Sequence, residues 1–215
     1  NVVLVSKDIF LRIKADVLGV PAQDYRREQV VPTFSGWEEV EISDDDINKL
    51  YKERSLPWSS KYPNQFYLLK SNSSQKTALA KSQGDKLVLL NDSRPEFYSF
   101  KLSALQRFAR EALRDPNIPL VTIVGATGSG KTLLSLGVGL EKTMGSDPIY
   151  RRMLICRPNV GMGEDIGFLP GGEKEKIAPF MRPIYDNLEQ LMMSEKNEDE
   201  KMLNSKIQYL FDSRK

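Results

Sequence analysis

Residues 125–132 read Gly125-Ala126-Thr127-Gly128-Ser129-Gly130-Lys131-Thr132, which follows the pattern G-x-x-x-x-G-K-[ST]. Glycines allow successive backbone N–H groups to converge on anionic oxygens, and the N-terminus of a following helix adds partial positive charge. Lys131 would then reach the β- and γ-phosphates of a nucleoside triphosphate, and the Thr132 hydroxyl would ligate Mg²⁺. The stretch predicts a phosphate-binding loop (P-loop) that holds ATP and Mg²⁺, with Lys131 and Thr132 acting in catalysis.

The segments around the P-loop predict the elements that such a loop requires. Residues 120–124 form a continuous apolar run of strand length, residues 133–144 have helical spacing, and residues 151–156 are predicted to form the next strand. A further helix is predicted to begin after Ser103, whose side chain suits a cap. Strand, helix and strand in this order are typical of a parallel α/β domain.

The composition excludes several classes of chemistry. The chain of 215 residues has no histidine, which excludes serine–histidine triads and histidine-ligated metals. With a formal charge of +2, the chain as a whole lacks the strong positive field of a dedicated nucleic-acid binder. This net charge does not exclude a local basic patch. The one cysteine, Cys156, is predicted to be a small core residue rather than a reactive thiol, as in a reducing, cytoplasmic setting.

The chain is also predicted to lack a membrane span, because it contains no run of about 18 apolar residues. It begins with a strand-like run instead of a methionine, so we expect no signal peptide. This beginning is typical of the interior of a longer protein.

The sequence of the first half of the chain predicts two smaller structural segments. Residues 1–25 read as a short buried strand, then Asp8, then an amphipathic helix that turns Ile9, Ile13 and Val17 toward a core. Residues 30–95 predict a β-rich module of short strands and one brief helix, which Ser43 caps. Within this module, a pair of aromatic residues can pack in the core or stack on RNA bases, and strand alternation favours packing for at least one of them; the pair is Phe66 and Tyr67.

The end of the chain predicts a glycine-rich loop at 161–172, a helix at 177–192 and a polar loop at 194–201. A triphosphatase also needs an acid at a strand end to hold Mg²⁺ and order water. Residues 207–212 are the later apolar run that ends in an acid, Asp212, although Gln208 interrupts the run. Asp165, inside the glycine-rich loop, is the other candidate.

The residues after 156 resemble one family closely. Arg157-Pro158, MGEDIGFLPG at 162–171, EKEK at 173–176 and PIYDNL at 183–188 together resemble the PhoH family of P-loop ATPases. Within that family the chain is similar to the long form, which carries an N-terminal PIN ribonuclease domain. Residues 5–15 resemble the last active-site stretch of a PIN domain, and residues 63–69 resemble the β-rich connector.

The resemblance implies a fold and a division into domains. The fold is an α/β, RecA-like P-loop parallel sheet with helices, incomplete here and preceded by a β-rich module and the tail of a PIN domain. The expected domains are a PIN remnant at 1–29, the connector at 30–95 and the first part of the ATPase domain at 96–215. The family's magnesium-binding acid pair would follow residue 215, so we expect an internal or truncated fragment.

The resemblance also implies partners and site residues. The intact protein is expected to form a homo-oligomeric ring, to hydrolyse ATP and to act on single-stranded RNA by unwinding or processing it. Gln106 would recognise adenine, or would be a polar residue on a helix surface. Arg157 would face phosphate or a neighbouring subunit, or would be a salt-bridged rim residue. Asp8 would be a PIN ligand for Mg²⁺ or Mn²⁺, or a helix N-cap.

Three functions therefore stand as hypotheses. The first is a Mg²⁺-dependent ATPase that acts on RNA. The second is a fragment that binds nucleotide without hydrolysing it and has a role in assembly or interaction. The third is PIN-type ribonuclease action through Asp8.

Overall fold

The structure is a computed structural model of the chain. It describes residues 3–6, 8–24, 34–91, 93, 95–97, 100–156, 173–192 and 200–212. These residues belong to two compact units, Asn1–Trp37 and Glu38–Lys215. Each unit is described by itself.

The first unit consists of a short helix and a two-stranded sheet. Strands β1 (Leu4–Val5) and β2 (Ala22–Gln23) pair in parallel, and helix α1 (Ile9–Val17) connects them. Asp8 is the N-cap of α1, and its carboxylate accepts hydrogen bonds from the backbone N–H groups of Phe10 (2.8 Å) and Leu11 (3.2 Å). The N-cap interpretation of Asp8 is thus confirmed.

The apolar face predicted for α1 does not reach a core in this unit. Ile9 is 56% exposed, Ile13 51% and Val17 81%, whereas Ala15 is buried. The expectation that the three larger side chains point into a core was wrong for the described residues, because α1 has only the two short strands to pack against within its unit.

The second unit begins with a five-stranded sheet in the order β3-β5-β6-β7-β4. Its strands are β3 (Trp37–Ile42), β4 (Ser55–Pro57), β5 (Phe66–Ser71), β6 (Thr77–Gln83) and β7 (Lys86–Leu89). The β5–β6, β6–β7 and β4–β7 pairs are antiparallel. Helix α2 (Asp44–Glu53) follows β3, and the Ser43 hydroxyl accepts a hydrogen bond from the Asp46 N–H, as the sequence predicted.

The two faces of β5 pack against different partners. Tyr67 and Leu69 belong to a core that also contains residues of α2. Phe66 points to the other face and stacks on Phe108 with ring centroids 5.1 Å apart. Both members of the aromatic pair are buried, so the packing interpretation is confirmed. The buried residues of this core are Ile42, Ile47, Leu50, Leu56, Tyr67, Leu69, Ala78, Ala80, Leu87 and Leu89.

Among the described residues that follow the sheet, four segments are helical. They are α3 (Ala104–Arg114), α4 (Lys131–Met144), α5 (Glu173–Met192) and α6 (Glu200–Asp212). Ser103 caps α3 as predicted, and α4 packs against both α3 and α5. The buried apolar residues that join α4, α5 and α6 are Leu134, Leu136, Leu140, Ile184, Leu188, Leu191, Ile207 and Leu210.

Three predicted strands are not strands in the structure. Residues 120–124 and 151–156 form neither helix nor strand, because within the described residues no partner strand pairs with their backbone. Residues 207–212 are helical: Ile207 and Leu210 are buried one turn apart on the face that packs in the core with α5. Asp212 is therefore the last residue of a helix and does not end a strand.

The fully buried position of Leu69 allows a direct test of the sheet core. Leu69→Ala should lower the free energy of unfolding by about 2–5 kcal/mol, because it leaves a cavity between β5 and α2. The measurement is chemical unfolding followed by circular dichroism. The matched control is Leu120→Ala at a side chain that is 81% exposed, where we expect a change below about 0.5 kcal/mol. Equal effects of the two substitutions would contradict the described packing.

Candidate nucleotide-binding site

The P-loop leads directly into α4, as the motif requires. Gly130 is the N-cap of α4 with φ of 84°, and Gly128 has φ of 79°. Glycine adopts this left-handed region without the steric penalty that a Cβ atom brings. The free backbone N–H groups at the start of α4 therefore lie from Lys131 onward, beside the loop. Together with the helix dipole they favour binding of an anion there.

The Lys131 side chain is folded back over the loop. Its ammonium donates hydrogen bonds to the carbonyl oxygens of Gly125 and Ala126, both at 2.8 Å, and lies 3.5 Å from the Ser129 hydroxyl. These three groups are exposed, so an entering ligand can reach them. A phosphate would take the place of the two carbonyl contacts and gain a charge-assisted hydrogen bond.

A groove runs along α4 from the P-loop. It has a volume of about 600 Å³, with Lys131 and Thr132 near one end and Lys142 further along the helix. Val121, Ile123 and residues 152–156 also line it. The groove therefore connects Lys131 and Thr132, which are predicted to bind phosphate and Mg²⁺, with a largely apolar surface.

Cys156 lines the same groove and is exposed. The prediction that it is a small core residue was wrong. The physical reason is the same as for the missing strand, because residues 151–156 have no paired neighbour to bury them.

Gln106 contacts the P-loop through its side chain. Its Oε1 atom accepts a hydrogen bond from the Ser103 N–H at 2.9 Å, which completes a capping box at the start of α3. Its Nε2 atom donates to the Ser129 carbonyl at 3.2 Å. Sequence reasoning assigned Gln106 to adenine or to a helix surface and missed this contact, although the Ser-x-x-Gln spacing is the signal for a capping box.

A buried ion pair fixes α3 against α4. The Arg110 guanidinium lies 3.3 Å from the Glu141 carboxylate, and these side chains are 8% and 7% exposed. Arg114 lies 3.3 Å from the second carboxylate oxygen of Glu141. Lys142 follows Glu141 on α4, and its pKa is lowered by burial and by the positive charge of Arg114.

Charged groups also join α3 to the sheet. Lys81 of β6 lies 3.0 Å from Glu111 and 3.2 Å from Asp115. The pKa of Asp115 is lowered because its carboxylate accepts a hydrogen bond from the Asn117 N–H and lies near Lys81. The helix that carries Gln106 is therefore held by ion pairs on two sides.

The remaining candidate residues are not brought to the P-loop by the described part of the chain. Arg157 and Asp165 lie outside the described residues, as does the predicted loop at 161–172. Of the polar loop predicted at 194–201, residues 194–199 also lie outside the described residues, whereas residues 200 and 201 lie in the first turn of α6, so the loop prediction was wrong there. Within the described ranges, no group of three or more acidic or cysteine side chains is arranged to hold a metal ion. The Thr132 hydroxyl is the predicted Mg²⁺ ligand that lies at the loop, where phosphate oxygens would supply further oxygen ligands.

Comparison with known proteins identifies similar families and relatives. Residues 101–210 match the family described as PhoH-like protein, and residues 1–26 match the family described as PIN domain. The chain is 37% identical over 207 residues to protein PhoH2 of Bacillus subtilis (strain 168), a match that covers 91% of the chain and 47% of that protein. It is 34% identical over 192 residues to protein PhoH2 of Thermobispora bispora, covering 87% of the chain and 44% of that protein.

The matched relatives are longer than this chain. Protein PhoH2 of Mycolicibacterium smegmatis is 32% identical over 195 residues, which are 89% of the chain and 44% of that protein. The chain thus spans about half the length of these relatives. No solved structure matches the chain.

None of the described helices combines the length and the apolar character that crossing a bilayer requires.

The backbone at the two left-handed glycines gives a test of the loop conformation. A Cβ atom at Gly130 would lie 3.2 Å from Gln106 Nε2, whereas one at Gly128 would meet nothing within 4 Å. Gly128→Ala should therefore lower the free energy of unfolding by about 1–2 kcal/mol from backbone strain alone. Gly130→Ala should cost more, because it also displaces the Gln106 amide. Thermal unfolding without nucleotide measures both, and an equal or smaller cost at Gly130 would contradict the described contact.

Proposed function

Because the chain belongs to the PhoH-like protein family, we propose that it binds ATP with Mg²⁺ through the P-loop at residues 125–132. The observation that carries this proposal is the position of Lys131, whose ammonium lies over the loop carbonyls at the start of α4. A triphosphate placed there would meet the Lys131 ammonium and the N-terminal N–H groups of one helix.

The proposed binding mode assigns each element a role. Left-handed backbone at Gly128 and Gly130 curves the loop so that its N–H groups can face the β-phosphate. Lys131 moves from the carbonyl oxygens of Gly125 and Ala126 to the β- and γ-phosphates. The Thr132 hydroxyl, one residue into α4, ligates the Mg²⁺ that neutralises these phosphates.

In the intact protein we propose that ATP is hydrolysed on a RecA-like parallel sheet, in a ring that unwinds or processes single-stranded RNA. The support is the family membership and the similarity to relatives about twice as long. Residues 120–124 and 151–156, which are not strands in this structure, lie before the P-loop and after α4, in the chain order that two strands of that sheet would have. Arg157, placed after the second segment, is proposed to face phosphate or a neighbouring subunit.

A second candidate function is nucleotide binding without hydrolysis by this chain. Its support is that no group of three or more acidic or cysteine side chains in the described ranges could hold a metal ion, and that Asp212 ends a helix. Under this alternative, we expect no phosphate release above background that depends on Asp212.

A nuclease role for Asp8 rests on the PIN-family match at 1–26, and loss of RNA cleavage in Asp8→Asn is its test.

The binding proposal is tested by removing the Lys131 ammonium. Lys131→Ala should weaken binding of Mg·ATP by roughly 10- to 100-fold, because it deletes a charge-assisted contact to the phosphates. Isothermal titration calorimetry with the purified chain gives the dissociation constants.

The matched control is Lys86→Ala, which removes the same charge from the exposed start of β7. This control should bind Mg·ATP as the unsubstituted chain does. Equal affinities of the chain and Lys131→Ala would contradict ATP binding at the P-loop.

A further inference from the structure

The start of α3 holds the Gln106 side chain in one orientation. In the capping box, Gln106 Oε1 accepts from the Ser103 N–H at 2.9 Å, while the Ser103 hydroxyl accepts from the Gln106 N–H at 3.4 Å. Because the oxygen of the amide is engaged with the cap, the nitrogen must point away from it. That nitrogen donates to the Ser129 carbonyl of the P-loop at 3.2 Å.

The helix that presents this amide is itself held in place. Arg110 pairs with Glu141 of α4 in a buried contact, and Phe108 stacks on Phe66 of β5. Near the end of α3, Glu111 pairs with Lys81 of β6. Contacts on the sheet and on α4 therefore fix α3, and Gln106 reaches the P-loop from a rigid support.

The Ser129 carbonyl belongs to a peptide whose orientation matters for phosphate binding. In a trans peptide the carbonyl and the following N–H point in opposite directions. Holding the Ser129 carbonyl toward α3 therefore turns the Gly130 N–H away from α3. If this peptide rotated by half a turn, a carbonyl dipole would replace an N–H donor on that side of the loop.

Glycine makes such a rotation inexpensive. Gly130 has φ of 84°, and glycine populates positive and negative φ about equally well. The backbone of the loop alone therefore does not select one orientation of the Ser129–Gly130 peptide. The hydrogen bond from Gln106 supplies a selection that the loop lacks.

We propose that Gln106 is a positioning residue of the P-loop, which holds the Ser129–Gly130 peptide in the orientation that offers the Gly130 N–H to phosphate. The inference rests on the proposed function and assigns Gln106 to the phosphates instead of the adenine base. Both groups of its amide are engaged with the protein in this structure, one with the cap and one with the loop.

The test compares a ligand that has a base with a ligand that has none. Gln106→Met keeps the length of the side chain and deletes both hydrogen bonds. We expect it to weaken binding of Mg·ATP and of Mg·tripolyphosphate by the same factor, roughly three- to tenfold, since one neutral hydrogen bond orders the loop. Isothermal titration calorimetry on the whole chain measures both ligands.

Ser103→Ala is the matched control. It removes the hydroxyl half of the capping box but leaves the backbone N–H that orients Gln106. It should therefore cost helix stability comparably while changing the affinity for either ligand less than twofold. If Ser103→Ala weakens both ligands as much as Gln106→Met does, the effect is one of helix stability and the inference is overturned.

A spectroscopic readout reports the peptide itself. The Gly130 amide cross-peak in a ¹H–¹⁵N correlation spectrum should shift or broaden in Gln106→Met and stay in place in Ser103→Ala. An unchanged Gly130 peak in Gln106→Met would overturn the inference.

The remaining outcomes separate the inference from the proposed function. A loss confined to Mg·ATP, with Mg·tripolyphosphate unaffected, would show that Gln106 reads adenine and would overturn positioning. Unchanged binding of both ligands in Gln106→Met would overturn the inference alone. If the unsubstituted chain bound neither ligand, the proposed function would fail and the inference with it.

Discussion

The left-handed backbone at Gly130 is the constraint on which the site depends. It ends the P-loop and sets the first residue of α4, so the free N–H groups of the helix begin at Lys131. A side chain at this position would be strained and would press on the Gln106 amide. The conformation of one residue thus places the helix N-terminus, the lysine and the Gln106 contact around the same small loop.

The buried pair of Arg110 and Glu141 connects this loop to the rest of the second unit. A buried charge that loses its partner typically costs about 3–5 kcal/mol, so neither residue can be replaced alone without a large loss. Because α3 also pairs with Lys81 and stacks on Phe66, the sheet and the P-loop share one support. We expect a change in the packing of the sheet on α3 to alter the Gln106 contact with the P-loop.

Local signals in the sequence predicted much of this arrangement. The caps at Ser43 and Ser103 and the helix after the P-loop follow from short patterns whose partners are within a few residues, and all are confirmed. Features that need a distant partner were harder to predict. Residues 120–124 and Cys156 were assigned to buried strands, but an apolar run becomes a strand only when another segment pairs with its backbone. The contact of Gln106 with the P-loop was missed because the Ser129 carbonyl lies 23 residues away.

The assignment of residues 207–212 shows a different limit. An apolar run that ends in an acid fits a strand end and also the last turn of a helix. Ile207 and Leu210 are buried three positions apart with exposed Tyr209 between them, and this helical spacing of the buried side chains becomes visible only when α5 packs beside them.

We propose that the P-loop binds the phosphates of ATP, and a crystal structure of the chain with Mg²⁺ and a non-hydrolysable ATP analogue would show the contacts themselves. We expect the Lys131 ammonium to leave the carbonyl oxygens of Gly125 and Ala126 and to contact the β- and γ-phosphates, with the Thr132 hydroxyl on Mg²⁺. A nucleotide bound elsewhere, with Lys131 still on those carbonyls, would contradict it.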